Sequence, residues 1–128
     1  MMTGMTGAAK HTVLVVEDEE DLREMMRDAL ELSGYAVVTA QDGQQALALL
    51  TGADNLCLVL IDLLMPGMNG WDLFDELRRR PELDAVPIVV HSSVSGRAPR
   101  GATRVLQKPL TFGELLSTVR EYCAPDAM

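Results

Sequence analysis

The chain has few basic residues and no long apolar run, and each shortage excludes a class of function. Its 128 residues carry 11 Lys and Arg against 19 Asp and Glu, which gives a formal net charge of −8. Nonspecific binding to nucleic acid depends on clustered basic side chains, so nucleic acid is not an expected partner. No apolar stretch approaches the roughly 20 residues that cross a bilayer, and the N-terminus lacks a secretory pattern. The sequence therefore predicts a cytoplasmic protein with no membrane partner.

Cysteine is also scarce. Cys57 and Cys123 lie far apart in the chain, without a CxxC pattern or neighbouring histidines. This arrangement is typical of neither a zinc site nor a disulfide framework. We therefore predict that both cysteines are small, buried apolar side chains.

The length and the hydrophobic fraction of 48% suit one compact domain. Residues 1–11 have no periodicity and are rich in Gly, Thr and Met, which predicts a disordered tail. The domain is predicted over residues 12–124. No output domain is expected after it, since only a few residues follow the last predicted helix.

Short apolar runs alternate with segments of helical periodicity. The runs predict buried strands at residues 13–16, 36–40, 56–61, 88–91 and 105–106. This alternation predicts an α/β fold, a flavodoxin-like doubly wound sheet of five parallel strands in the order 2-1-3-4-5. Such sheets bind ligands outside the carboxyl ends of their strands, so the residues there are the candidates for a site.

Polar side chains stand at these strand ends: Glu17 and Asp18 after the first strand, Asp62 after the third, Ser92 after the fourth and Lys108 after the fifth. If the first and third strands are neighbours, three carboxylates converge. Two unit charges about 4 Å apart repel by roughly 4 kcal/mol at an effective dielectric near 20. The cluster therefore requires a cation or a raised pKa.

The residue types around this cluster indicate phosphoryl transfer. Oxygen ligands favour Mg²⁺ over zinc, with Mn²⁺ as an alternative. The Lys108 ammonium and the Ser92 hydroxyl can each bind a phosphoryl oxygen. A carboxylate next to a metal and a lysine can itself act as the nucleophile and become an aspartyl phosphate.

The chain resembles the response-regulator receiver domains of bacterial two-component signalling, the family of the chemotaxis regulator. The resemblance covers about residues 12–123 and runs in family order through VVEDE (15–19), DLLMPGMNG (62–70), PIVVHSS (87–93) and GATRVLQKP (101–109). It implies that Asp62 is the phosphoacceptor. It also implies that Asp18 binds Mg²⁺ directly, that Glu17 does so directly or through water, and that the backbone carbonyl of Leu64 completes the protein ligands.

The same resemblance assigns the remaining residues. Ser92 would be the hydroxyl that moves toward the phosphate, and Lys108 would form an ion pair with the phosphate. The family's Lys-Pro bond is cis, which implies a cis peptide between Lys108 and Pro109.

The sequence departs from the family before the fifth strand. Residues 94–101 contain two glycines and a proline and are too few for the usual fourth helix. We predict that this helix is missing or reduced to a loop. Val105 stands where the family has its switch aromatic, so output through the usual face is not expected.

The predicted function is that of a single-domain response regulator. A sensor histidine kinase or phosphotransfer protein would charge it, and it would act on an unknown downstream protein or shuttle phosphate. It would be a signalling domain rather than an enzyme. The alternative is a phosphate-independent pseudo-receiver that serves as a binding module. A phosphatase of the haloacid-dehalogenase type is disfavoured because Leu64 stands where that family has a second Asp.

Plainer explanations exist for parts of the pattern. The five acids at residues 17–21 could simply favour a helix start through its dipole. His91 is predicted to be a half-buried packing residue that points away from Ser92 by strand alternation.

Overall fold

The computed structural model describes residues 12–50, 55–65, 67–92 and 98–123. The strands are β1 (Thr12–Val16), β2 (Ala36–Ala40), β3 (Leu56–Asp62), β4 (Ile88–Ser92) and β5 (Arg104–Gln107). The α-helices are α1 (Glu20–Leu32), α2 (Gly43–Leu50), α3 (Gly70–Arg78) and α4 (Phe112–Tyr122), with a short 3-10 helix at Pro81–Leu83. The predicted tail at residues 1–11 lies outside the described residues.

The five strands form one parallel sheet in the order β2-β1-β3-β4-β5, which confirms the predicted fold class. Every residue of β3 and β4 is buried, as expected for strands covered on both faces. Because the strands are parallel, their carboxyl ends lie at the same edge of the sheet. In the described part of the chain, no helix is long and apolar enough to span a membrane.

Successive residues of each strand point to opposite faces, so the sheet separates two cores. One core joins α2 and α3 to the sheet and contains Leu14, Ile61 and Leu73 among its buried residues. The other joins α1 and α4 to the opposite face and includes Leu60 and Leu115. Helices on both faces therefore cover the central strands.

Particular residues in the sequence mark the end of α1 and the start of α4. Gly34 follows α1 with a φ of 96°, a conformation that favours glycine. Before α4, Thr111 accepts a hydrogen bond from the Glu114 N–H while the Glu114 side chain accepts one from the Thr111 N–H. This reciprocal pair is a capping box, which satisfies two backbone N–H groups at the start of α4.

The segment between β4 and β5 carries no helix where it is described, at residues 98–103. The remainder of the predicted loop, with residues 93–97, lies outside the described residues. The described chain thus contains four α-helices where the resemblance implies five, in agreement with the prediction of a missing or reduced fourth helix.

The prediction that the two cysteines are separate apolar side chains is wrong. Cys57 on β3 and Cys123 after α4 form a disulfide, with Cα atoms 5.5 Å apart. Both are buried, as predicted. Helix α4 packs over the face of the sheet that contains Cys57, which brings together two residues separated by 66 positions.

Candidate functional site

Three charged side chains meet at the carboxyl ends of β1, β3 and β5. Glu17 follows β1 and is 0% exposed, and Asp62 ends β3 at 2% exposed. The Lys108 ammonium lies 3.2 Å from Glu17 Oε1 and 3.3 Å from Asp62 Oδ2. Glu17 and Asp62 come together because β1 and β3 are hydrogen-bonded neighbours, in which Val16 pairs with Ile61. Two buried carboxylates thus share one ammonium.

The backbone beyond β3 fixes the Asp62 carboxylate. The Leu64 N–H donates to Asp62 Oδ1 at 3.2 Å, which leaves Oδ2 facing Lys108. Gly70 donates its N–H to the Leu63 carbonyl at 2.9 Å. A Cβ on Gly70 would lie 2.5 Å from Leu63 Cα and 2.6 Å from the Asp62 carbonyl oxygen, so only glycine fits there. The glycine at the end of the DLLMPGMNG run (62–70) therefore allows α3 to begin directly against Asp62.

A backbone hydrogen bond positions Lys108 in addition to its two ion pairs. Its N–H donates to the Ser92 carbonyl at 2.8 Å, and the Lys108–Pro109 bond is cis, as the resemblance implies. Its side chain is 21% exposed, so the ammonium borders solvent while the two carboxylates lie beneath it.

Burial and mutual repulsion shift the acid-base behaviour of this cluster. Burial, with repulsion from Asp62, raises the pKa of Glu17 to about 7 from an ordinary value of 4.5. Burial also raises the pKa of Asp62, although Lys108 opposes the shift. For Lys108, burial works to lower the pKa, but attraction to the two carboxylates outweighs it and the pKa rises. Near neutral pH, the single positive charge of Lys108 therefore does not satisfy both carboxyl groups.

The other predicted residues stand around this centre. Asp18 is exposed at the rim and contacts the Asp62 carboxyl, a contact that raises the Asp62 pKa. Ser92 is buried at the end of β4. Leu64 is exposed and touches Asp62 through its N–H. The proposed ligation by the Leu64 carbonyl stays a prediction.

The prediction for His91 is wrong in its burial and its surroundings. His91 is 0% exposed rather than half-buried, and its Nδ1 lies 3.6 Å from Glu17 Oε1. In the pairing of β3 with β4, His91 lies opposite Asp62. Burial lowers the pKa of the imidazole to about 3, so it is neutral. Sequence reasoning missed this residue because β-strand alternation alone does not say which side chains from other strands lie beside it.

The donor set fits a divalent cation. Ligand atoms of Glu17, Asp62 and His91 all lie within 4.8 Å of one another, which is close enough to share one ion. Two carboxylates against one ammonium leave a net negative charge that a cation would offset. Carboxylate oxygens are the ligands that Mg²⁺ and Mn²⁺ prefer.

Comparison with known proteins supplies the family. A family model described as the response regulator receiver domain matches residues 13–120. The transcriptional regulatory protein CpxR of Klebsiella pneumoniae is 34% identical over 111 residues, which cover 84% of this chain and 47% of CpxR. The chain thus spans about half the length of the curated relatives it matches.

Solved structures agree with the sequence match. The chemotaxis response regulator CheY4 of Vibrio cholerae has a TM-score of 0.80 and 29% identity, covering 89% of this chain and 99% of CheY4. The response regulator TrrA of Thermotoga maritima, solved in complex with Mg²⁺ and BeF, has a TM-score of 0.75 and 29% identity. That match covers 88% of this chain and 98% of TrrA.

Proposed function

The chain belongs to the response regulator receiver family, and we propose that it accepts a phosphoryl group on Asp62 from a phosphohistidine. Receiver domains are signalling domains of two-component systems and not enzymes that turn over a separate substrate. The observation that carries the proposal is the pairing of the buried Asp62 carboxylate with the Lys108 ammonium at 3.3 Å. The Lys108 ammonium favours the ionised form of Asp62, which is the form that can attack phosphorus.

The proposed step follows from the two oxygens of Asp62. Oδ1 accepts the Leu64 N–H, and Oδ2 is the oxygen that forms the bond to phosphorus. As that bond forms, the bond from phosphorus to the donor histidine nitrogen breaks and the released imidazole takes up a proton. Lys108 then donates to a phosphoryl oxygen, because it already lies beside Oδ2.

Glu17 and Asp62 are the residues that would hold the cation, with Asp18 and the Leu64 carbonyl as further ligands. Mg²⁺ is the proposed ion and Mn²⁺ the alternative. When bound, the cation offsets the negative charge of the transferring phosphoryl group. The similarity to TrrA, whose complex contains Mg²⁺ and BeF, supports this assignment.

Ser92 is the proposed hydroxyl ligand of the phosphoryl group. It ends the strand next to β3, and its carbonyl accepts the N–H of Lys108. A hydroxyl there can donate to a phosphoryl oxygen and draw the end of β4 toward the acceptor. In this proposal, phosphorylation changes the structure through β4.

The proposed phosphodonor is a sensor histidine kinase or a phosphotransfer protein, and the proposed location of the chain is the cytoplasm. Residues 98–103 carry no helix, and Val105, at 43% exposed, occupies the position of the family's switch aromatic. These departures support output through another surface or shuttling of phosphate between proteins. That the protein acts without an output domain of its own stays a prediction.

The test is incubation with acetyl phosphate and Mg²⁺, followed by intact-mass analysis. We expect one added phosphoryl group, absent in Asp62→Asn and in the presence of a chelator. Asp84→Asn is the matched control, because Asp84 is an exposed aspartate after the 3-10 helix. No added mass with any small donor would overturn the proposal and favour a phosphate-independent pseudo-receiver.

A further inference from the structure

His91 lies fully buried against the acids of the site. Within the described part of the chain, neither ring nitrogen of His91 has a hydrogen-bond partner. A neutral imidazole carries one donor and one acceptor, and leaving such groups buried and unpaired destabilises the folded state. The nearest acid oxygen, Glu17 Oε1, is 3.6 Å from Nδ1, beyond a normal hydrogen bond.

Packing alone does not explain a histidine at this position. Ile88, Val89 and Val90 precede it on β4, and all three are buried, β-branched and apolar. Another valine would fill such a strand position without the cost of desolvating two ring nitrogens. The imidazole is therefore better explained if one of its nitrogens binds another group.

We infer that His91 provides a nitrogen ligand to the divalent cation of this site and shifts its preference from Mg²⁺ toward transition ions. The inference rests on the proposed function, because it concerns the same cation. Its geometric basis is the cluster of Glu17, Asp62 and His91, whose ligand atoms lie within 4.8 Å of one another. The register pairing of Asp62 with His91 fixes this cluster through the sheet itself.

The chemistry of the donors gives the direction of the preference. Mg²⁺ binds oxygen ligands and gains little from imidazole, whereas affinities of mixed nitrogen and oxygen sites rise from Mn²⁺ through Co²⁺ to Ni²⁺. A site with two carboxylates and one imidazole therefore favours these ions over Mg²⁺.

Lys108 is compatible with such an ion. Its ammonium now lies between the two carboxylates, where a cation would also bind. Its side chain borders solvent and has a flexible stem, so it can turn toward the opening. Binding of the ion would free the ammonium for a phosphoryl oxygen, and the two positive groups do not have to share one position.

The direct test is pulsed electron paramagnetic resonance of the full chain loaded with Mn²⁺. We expect modulation from a directly bound imidazole nitrogen, changed by ¹⁵N-histidine labelling and absent in His91→Val. His11→Ala is the matched control, because His11 is the only other histidine in the sequence, and it should keep the signal. Absence of nitrogen coupling in the wild-type protein overturns the inference without reference to any variant.

Calorimetric titration gives a second readout. His91→Val should lose roughly tenfold or more in Co²⁺ affinity and less than about threefold in Mg²⁺ affinity. An equal loss for both ions, or no loss, contradicts the inference. If Asp62 is phosphorylated with Mg²⁺ but no nitrogen coupling is found, only this inference fails. If nitrogen coupling is found but Asp62 is never phosphorylated, only the proposed function fails.

Discussion

The ammonium nitrogen of Lys108 lies 3.3 Å from Oδ2 of Asp62 and connects the ends of two strands that are not neighbours in the sheet. The same nitrogen also contacts Glu17. One partly exposed lysine therefore compensates two buried carboxylates. Removal of any member of this group should change both the stability of the protein and its reactivity.

Lys108→Met should destabilise the metal-free protein at pH 8 by about 1–3 kcal/mol, because two buried carboxylates lose their cation. The estimate is below that for a fully buried pair since the lysine borders solvent. Urea unfolding measures it. Arg79→Met is the control, as it breaks the exposed Arg79–Glu76 pair at 2.8 Å and should change stability by no more than about 0.5 kcal/mol. Equal effects of the two variants would contradict the account.

Glu17 should make the metal-free protein less stable as the pH rises. Its pKa is about 7 in the folded protein and 4.5 ordinarily, so the folded state binds the extra proton between these values. Stability from this group is fully present below pH 4.5 and is lost as the pH rises through 7, by at most about 3 kcal/mol. Unfolding in EDTA from pH 4.5 to 8 should show the stability of the wild-type protein falling relative to that of Glu17→Gln, and this comparison removes the opposite contribution of His91, whose lowered pKa adds stability as the pH rises. A divalent cation should reverse it at pH 8, and identical pH profiles would disprove the role of Glu17.

Gly70→Ala should destabilise the fold and misplace Asp62, because the new Cβ would overlap Leu63 Cα and the Asp62 carbonyl. Overpacking of this kind costs about 1–3 kcal/mol. Gly113→Ala provides the opposite case, since its Cβ would meet only Thr111 Oγ1 at 3.8 Å within α4. There alanine should stabilise by roughly 0.5–1 kcal/mol. Thermal unfolding that ranked the two variants in the reverse order would show that the close approach is absent.

The Cys57–Cys123 disulfide should stabilise the oxidised protein against the reduced one. It closes a loop across 66 positions, for which the chain-entropy model gives about 4 kcal/mol. Urea unfolding with and without a reducing agent measures the difference. The Cys57→Ala, Cys123→Ala double variant should be insensitive to the reductant. A wild-type protein that is equally insensitive would show that the bond does not form in solution.

The positions of the acids, Ser92 and Lys108 at strand ends could be predicted because each follows a short apolar run. A strand that is buried on both faces has a local signature, and parallel strands end at the same edge of the sheet. These two facts predict the order of the strands and helices and the cluster of acids at the sheet edge. Gly70 could be recognised from the family motif, although its physical reason appeared only in the approach to Leu63.

The environment of His91 and the disulfide could not be predicted in the same way. His91 lies beside the acids because of its register with Asp62 and the pairing of β1 with β3. The disulfide depends on where α4 docks on the sheet. Register and docking are set by tertiary packing, so no short segment of the sequence contains them. Both misjudged features are side chains whose partners come from distant segments of the chain.

Reductive trapping tests most directly whether Asp62 carries the phosphoryl group. Borohydride reduces an acyl phosphate on aspartate to the alcohol of homoserine, which peptide mass analysis can locate. After treatment with a phosphodonor and Mg²⁺, we predict homoserine at position 62 and at no other aspartate. Homoserine at another position, or a phosphorylated protein with an unmodified Asp62, would contradict the account.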